Sequence, residues 1–319
     1  MKAQRGAAIL TAMLTVVLVA TLASASLWQQ WRGVEIEAAE RSRTQSAWVL
    51  TGALDWARLI LREDARKGGP DHLGEPWAVP LAQARLSTFL AADRSDALAA
   101  DETQEAFLSG QIIDLQSRLN VTNLVQDGKI QEPSLTAFKR LFKLLNLPEL
   151  ELTSLVENLR RAQDSALDSK TNVDAPLLPQ EVDQLVWLGL SQRSLALLRP
   201  FVTLLPVRTP VNLNTAPAEV IYAAVEGLEL ADAHRLVDAR SGKPLANLAE
   251  ASNVARKADA QFNEALHSVT TQFFEVRGSL QLDQTTVQEQ SVVQRMGLDV
   301  KTLARKRGVV PATAPYNDL

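Results

Sequence analysis

An uncharged run from Ala7 to Leu27 lies between Lys2 and Arg5 on one side and Trp28 and Trp31 on the other. As a helix it extends roughly 31 Å at ~1.5 Å per residue, enough to cross the hydrocarbon core of a bilayer. Basic residues mark the cytoplasmic side and tryptophans favour headgroup depth, so the bulk of the chain is expected outside the cytoplasm. From Trp31 to Arg66 there is no proline, and Trp48, Leu54, Trp56, Leu59 and Ile60 recur at helical spacing behind Glu35, Glu37, Glu40, Arg41 and Arg43. The pattern predicts one helix, membrane-spanning over 7–27 and amphipathic over 28–66, closed by Gly68-Gly69-Pro70.

Further on, the period changes twice. A Gly/Pro loop covers 68–80, Pro80 to Phe89 fits a short strand or helix, and Ala91 to Glu105 is acidic and irregular. Between Gly110 and Val121, Ile113, Leu115, Leu119 and Val121 alternate with polar residues, which predicts a half-buried strand beside the long helix. Helical spacing then dominates: Ser134–Leu145 with Ser134 as cap, Leu150–Ala166, Gln180–Trp187, Ser191–Arg199 and Leu245–Leu266. Alternation returns at Phe274, Val276, Leu280 and Leu282, followed by a turn at Asp283-Gln284 and a strand over Val287–Val293. Lys301, Arg305, Lys306 and Arg307 read as a basic, mobile tail.

Within the helical block, Pro210 to Arg240 is a helix-hairpin-helix pattern. Asn212 precedes it, Asn214 and Thr215 are placed to cap a helix starting near Pro217, and Gly227 marks the hairpin before the helix Leu230–Arg240. Versions that bind DNA offer backbone N–H groups to a phosphate from a glycine-rich hairpin. Here Glu229 brings the wrong charge, so a structural helical pair is expected and a nucleic-acid partner is not.

Composition narrows the class. The chain has 319 residues, 46% hydrophobic and 22% charged, a net charge of −4 and no cysteine. That is a folded chain of about two domains without global attraction for nucleic acid, and disulfides and thiolate metal sites are excluded. His72, His234 and His267 lack metal-ligand spacing, His234 and His267 falling in helical stretches with surface neighbours, and no phosphate loop or serine elbow accompanies them. No enzyme activity, cofactor or metal is expected; Asp164, Asp168 and Asp174 read as solvated loop carboxylates. The Asn120-Val121-Thr122 sequon is too short a pattern to assign glycosylation.

Three readings of the N-terminus compete: a plain anchor, a signal peptide cleaved near Ala25, and a short basic leader ending at Gly6. The last resembles the type IV prepilin class, in which a peptidase cuts after the glycine and Ala7 becomes the methylated mature N-terminus. Thr11 would then stand at the fifth mature position, where most pilin-like proteins have a glutamate that neutralises the neighbouring subunit's terminal amine. An intramembrane charge is costly unless paired, so a subunit lacking it suits a position with nothing ahead of it.

The order of Gly6 and apolar helix, LSGQIIDLQSRLNVTNL, LLRPFVTLLPVRTPVNLNTAPAEV and FFEVRGSLQL resembles the K-type minor pseudopilins of the type II secretion system. That resemblance implies an α+β pilin-like fold with a small antiparallel sheet and a large helical insertion containing the helix-hairpin-helix segment. The expected divisions are a leader at 1–6, a helix over 7–66, a pilin-like domain formed by 67–124 and 267–296, an inserted domain at 125–266 and a tail at 297–319. It further implies a place at the tip of a periplasmic pseudopilus, starting or capping its assembly. The implied partners are the I- and J-type minor pseudopilins, the major pseudopilin, the inner-membrane secretion platform and the prepilin peptidase. The alternative is a membrane-anchored periplasmic helix-hairpin-helix protein that binds DNA.

Overall fold

The computed structural model describes residues 5–86, 106–167, 175–257, 259–282 and 285–311. The acidic stretch 91–105, the turn at 283–284, Asp168 and Asp174 lie outside them.

Helix α1, Arg5–Lys67, is a single 63-residue rod, about 95 Å long. Every residue from Ala8 to Arg41 is exposed, and the first part of the helix is apolar enough to cross a membrane. The rod ends where Gly68 adopts φ 68° and donates its N–H to Asp64 O at 3.1 Å, leaving Arg66 and Lys67 in the last turn. A left-handed glycine that caps a carbonyl, with cations at the negative end of the helix dipole, terminates a helix cleanly.

The second half of α1 lies on an antiparallel five-stranded sheet of order β1 (Leu81–Arg85), β2 (Ala106–Asp114), β3 (Phe273–Leu282), β4 (Thr285–Met296) and β5 (Asp299–Pro311). Leu50, Leu54, Ala57 and Leu61 recur at intervals of four, three and four and are buried, Leu61 completely. Such spacing keeps one side of the helix on the sheet, and each buried leucine contributes about 1.5–3 kcal/mol. Trp77 stands edge-on to Phe274 at 5.2 Å, closing this core from the loop after α1. At the centre of the sheet Gly110 pairs with Gly278, and a Cβ on Gly278 would lie 3.2 Å from Leu50 Cδ2. Gly278 lets α1 approach the backbone closely.

Three expectations about this sheet need correction. The strand expected over Gly110–Val121 is β2, which ends at Asp114; Leu108 and Ile112 rather than Ile113 face α1. A 3-10 turn, Leu115–Ser117, breaks the alternation there because Asp114 accepts the Gln116 N–H at 2.7 Å. The basic run read as a mobile tail at 297–319 is, through Pro311, strand β5. Its turn is Gly297-Leu298, with Gly297 at φ 60°, and Arg305 and Arg307 pair with the buried Glu289 of β4 at 2.9 and 2.5 Å. The cations that looked like tail chemistry neutralise a carboxylate one strand away.

Between β2 and β3 the chain builds the helical unit: α2 (Glu132–Leu144), α3 (Glu149–Leu167), a 3-10 turn (Val182–Leu188), α4 (Gln192–Leu198), α5 (Ala218–Ala224), α6 (Leu230–Gly242) and α7 (Leu248–Ala255). One continuous core runs from Leu119 through Phe138, Leu141, Leu159, Val202 and Ile221 to Ala255. The unit also holds two-residue ladders, Leu119–Asn120 with Val202–Thr203 and Val211–Asn212 with His267–Ser268. The helix expected over Leu245–Leu266 is confined to Leu248–Ala255, ending where Arg256 turns left-handed at φ 52°. Ser134 is no cap: it sits inside α2, buried, with its hydroxyl unpaired. His267 is not on a helix surface either. It is 1% exposed and in a ladder, Nε2 meeting Ala224 O at 3.1 Å and Nδ1 accepting the Asn263 N–H at 3.1 Å. Burial lowers its pKa, so it is a neutral, bonded core residue.

Candidate functional site

Two features are candidates for function: the side of α1 turned away from the sheet, and the joint between sheet and helical unit. At about 100° per residue, Leu27, Val34, Trp48 and Leu59 fall within about 60° of one another, opposite Leu50–Leu61. Trp48 is 73% exposed and Leu59 48%. They share that side with the Glu37–Arg41 ion pair at 3.1 Å. A helix with one apolar stripe on its own sheet and a second facing outward has room for another helix. Nearer the membrane end, the Arg32 guanidinium lies 4.1 Å from the Trp28 ring centre, a cation–π contact that orders the Trp28–Arg32 turn.

At the joint, Asp114 is wholly enclosed. Its Oδ1 accepts from Gln116 N and Thr271 Oγ1, both at 2.7 Å, and its Oδ2 from Asn212 Nδ2 at 2.9 Å and Thr215 Oγ1 at 2.6 Å. Burial pushes the Asp114 carboxyl up, and these four donors oppose the shift. Asn212 also donates to Asp71 O at 3.1 Å, while Asp71 Oδ2 accepts the Thr271 N–H at 2.7 Å. Arg295 then bridges Asp71 and Asp64, meeting Asp64 Oδ2 at 2.6 Å and donating to Thr271 O at 3.0 Å. Thus the end of α1, the exit from β2, the 210–215 strap and the return into β3 share one network. The oxygens of Asp64, Asp71 and Glu75 lie within 4.8 Å of one another, but the chain's own Arg295 already occupies the cluster as its cation.

The strap 205–215 is fastened residue by residue to the 116–123 segment. Asn120 donates to Val207 O at 2.8 Å and accepts from Leu205 N at 3.1 Å. Asn123 exchanges two bonds with the Thr209 backbone at 2.7 and 3.0 Å, and Gln116 donates to Pro210 O at 3.1 Å. Asn120 is 2% exposed, so the sequon is structural.

The residues singled out in the sequence fall into two groups. Asn212 and Thr215 belong to the Asp114 network, and Asn214 exchanges bonds with the Leu245 backbone at 3.0 and 2.9 Å. Neither Asn214 nor Thr215 caps α5, whose N-cap is Pro217; their side chains are spent on distant backbone and on Asp114. Gly227 forms the hairpin turn at φ 83°, but that hairpin is covered: an added Cβ would lie 2.2 Å from Asp259 O. Arg140 donates to Val225 O at 2.9 Å and Leu228 O at 2.5 Å, and Gln261 N to Glu226 O at 3.0 Å. A hairpin whose backbone already serves its own chain has no face for a phosphate. Gly6 and Ala7 lie in the first turns of α1, and the Thr11 hydroxyl bonds Ala8 O at 3.0 Å. Sequence reasoning missed Asp71, Asp114 and Arg295 because each is an ordinary charge until its distant partners are in place.

Two family profiles described as type II secretion system protein K match the chain, one over residues 117–207 and the other over 211–270. Both fall on the helical unit and the strap. Over these residues the chain is similar to the type II secretion protein K family. It is 26% identical to the type II secretion system protein K of Pseudomonas aeruginosa, over 96% of this chain and 94% of that relative. Among solved structures it resembles a chain of the GspK-GspI-GspJ complex of the enterotoxigenic Escherichia coli type 2 secretion system. The TM-score is 0.65 at 18% identity, covering 85% of this chain and 98% of that one. The fold is therefore the pilin-like one of protein K, with a helical insertion. Like the type II secretion relatives it matches, the chain is a minor pseudopilin of type II secretion, a structural component and not an enzyme. The one long apolar helix among the described residues suits single-pass anchoring in a membrane.

Proposed function

We propose that this protein K relative is the tip subunit of the type II secretion pseudopilus and that it starts or caps pseudopilus assembly. The observation that carries this reading is the helical unit: it leaves the sheet at Asp114 and returns at Phe273, adding a second body to a pilin-like head. Such a head is too broad for the inside of a tight helical stack and harmless at its end. Thr11 supports the same place, because its hydroxyl is bonded to Ala8 O within α1 and brings no charge to a neighbour's amine. The prepilin peptidase would cut after Gly6, and Ala7 would be methylated. The N-terminus would stay cytoplasmic, α1 in the inner membrane and both folded units in the periplasm. The I- and J-type minor pseudopilins, assembled with protein K in the Escherichia coli complex, would pack on the outward stripe at Trp48 and Leu59. The major pseudopilin and the inner-membrane platform would complete the assembly.

The test is the mature N-terminus of envelope protein. Mass spectrometry should find methylated Ala7, and Gly6→Ala should block both maturation and secretion. A mature start near Ser26, or normal secretion by Gly6→Ala, would overturn the reading.

A further inference from the structure

Odd-numbered positions of β3 face away from α1, and the helical unit covers that side only in part, through Leu115, Leu205, Phe273 and Val292. In the corner beside this contact stands Arg118, which follows the 3-10 turn in extended conformation. It is half-buried, and among the described residues nothing accepts a hydrogen bond from its guanidinium. Its charged neighbours are Glu275, Arg277 and Asp114. Both carboxylates are engaged. Arg277 grips Glu275 through two bonds at 2.9 and 3.1 Å, and four donors fill Asp114. Lys306, on the same face of the sheet, pairs with Glu181 of the helical unit at 3.0 Å.

A guanidinium offers five donors in a rigid fork, and those of Arg118, unshared with its own chain yet still reachable from solvent, are free to meet an incoming carboxylate. Burial pushes the Arg118 pKa down while leaving the group a cation at neutral pH. Around it the sheet face is polar and largely uncharged: Ser109, Ser279 and Gln288 lie in one cross-strand row, Gln111, Arg277 and Gln290 in the next. A surface of that kind suits a protein partner presenting one acid rather than a polyanion, which Glu275 and Glu181 would repel.

We propose that Arg118 receives a carboxylate from a partner subunit docked in the corner between the outer sheet face and the helical unit. The inference rests on the minor-pseudopilin reading and adds a second contact to the α1 stripe. The full-length chain in detergent is titrated with its own I- and J-type partners, as wild type, Arg118→Gln and Arg118→Lys. Capture should weaken roughly tenfold or more in Arg118→Gln and be regained only partly by lysine, which lacks the fork. The melting temperature should not fall, because no internal hydrogen bond is removed. A photo-crosslinker at position 118 should attach to a partner peptide containing Asp or Glu. Undiminished capture by Arg118→Gln, or crosslinks confined to the chain itself, overturns this inference alone. Failure of the wild type to capture either partner overturns it together with the reading beneath it.

Discussion

Replacing Asp114 by alanine removes the acceptor that four donors share, and the structure says which of them can recover. Thr215 Oγ1 has a second acceptor in Asn212 O at 3.4 Å, Thr271 Oγ1 has one in Phe273 O at 3.5 Å, and Asn212 keeps Asp71 O at 3.1 Å. The Gln116 N–H and one Asn212 proton are left buried and unpaired, and both threonine bonds become long. At about 1–3 kcal/mol for each of the two unmet donors, the loss is about 2–6 kcal/mol. That is a large part of the ~5–15 kcal/mol that holds a domain together. Because the network joins two bodies, the loss should also separate them. Urea unfolding of the full chain should give one transition for wild type and two for Asp114→Ala, with amide exchange rising first in the 205–215 strap. Asp114→Asn is the sharper control, since its amide turns an NH2 towards donors and should cost nearly as much. A destabilisation under about 1 kcal/mol in both variants, or a neutral Asn, would refute the network as the fastening.

Other outcomes follow from the same geometry. Gly227→Ala combines a left-handed φ of 83° with a Cβ 2.2 Å from Asp259 O. It should destabilise the helical unit by about 1–3 kcal/mol, read by its thermal transition. Burial, with Asp64 adding to it, pushes Glu75 from 4.5 up to about 7. The folded state therefore binds the proton more tightly, so this group's stabilisation is complete below pH 4.5 and lost as pH rises to about 7. Glu75→Gln should flatten that part of the stability–pH curve, and an unchanged slope would contradict the assignment. Trp48→Ala should leave the melting temperature within a degree or two and weaken capture of the I- and J-type partners, because Trp48 is 73% exposed on the side of α1 away from the sheet.

Periodicity made α1, β3 and β4 legible, because each keeps one face on an apolar neighbour over several repeats. Strand β5 was not legible: only Val300 among its described side chains is buried, and its basic residues take their meaning from Glu289 and Glu181 on other elements. The end of β2 was misjudged for the opposite reason, since Leu115, Leu119 and Val121 continue the apolar alternation after the backbone has turned into the helical unit. Asn212, Asn214 and Thr215 were marked by their position in the strap, Asn214 and Thr215 with capping roles they do not have. Asp114, the partner of Asn212 and Thr215, lies 98 and 101 residues from them, and 157 from Thr271. Local patterns cannot encode a bond over such separations; the two stretches carrying the family resemblance around Gln116–Asn123 and Leu205–Thr215 turn out to be the two halves of one clasp.

Where the excursion opens and shuts has a consequence for how such a chain tolerates change. Asp114 and Phe274 sit directly across from each other in neighbouring strands, so everything between departs and rejoins at a single rung of the ladder. To the sheet, that great detour is equivalent to a tight β-hairpin connection. Its size is nearly invisible there, since doubling a flexible connection adds only about 0.6 kcal/mol of closure cost. The appendage is thus free to grow, shrink or be traded for another without redesigning the part that must fit its neighbours.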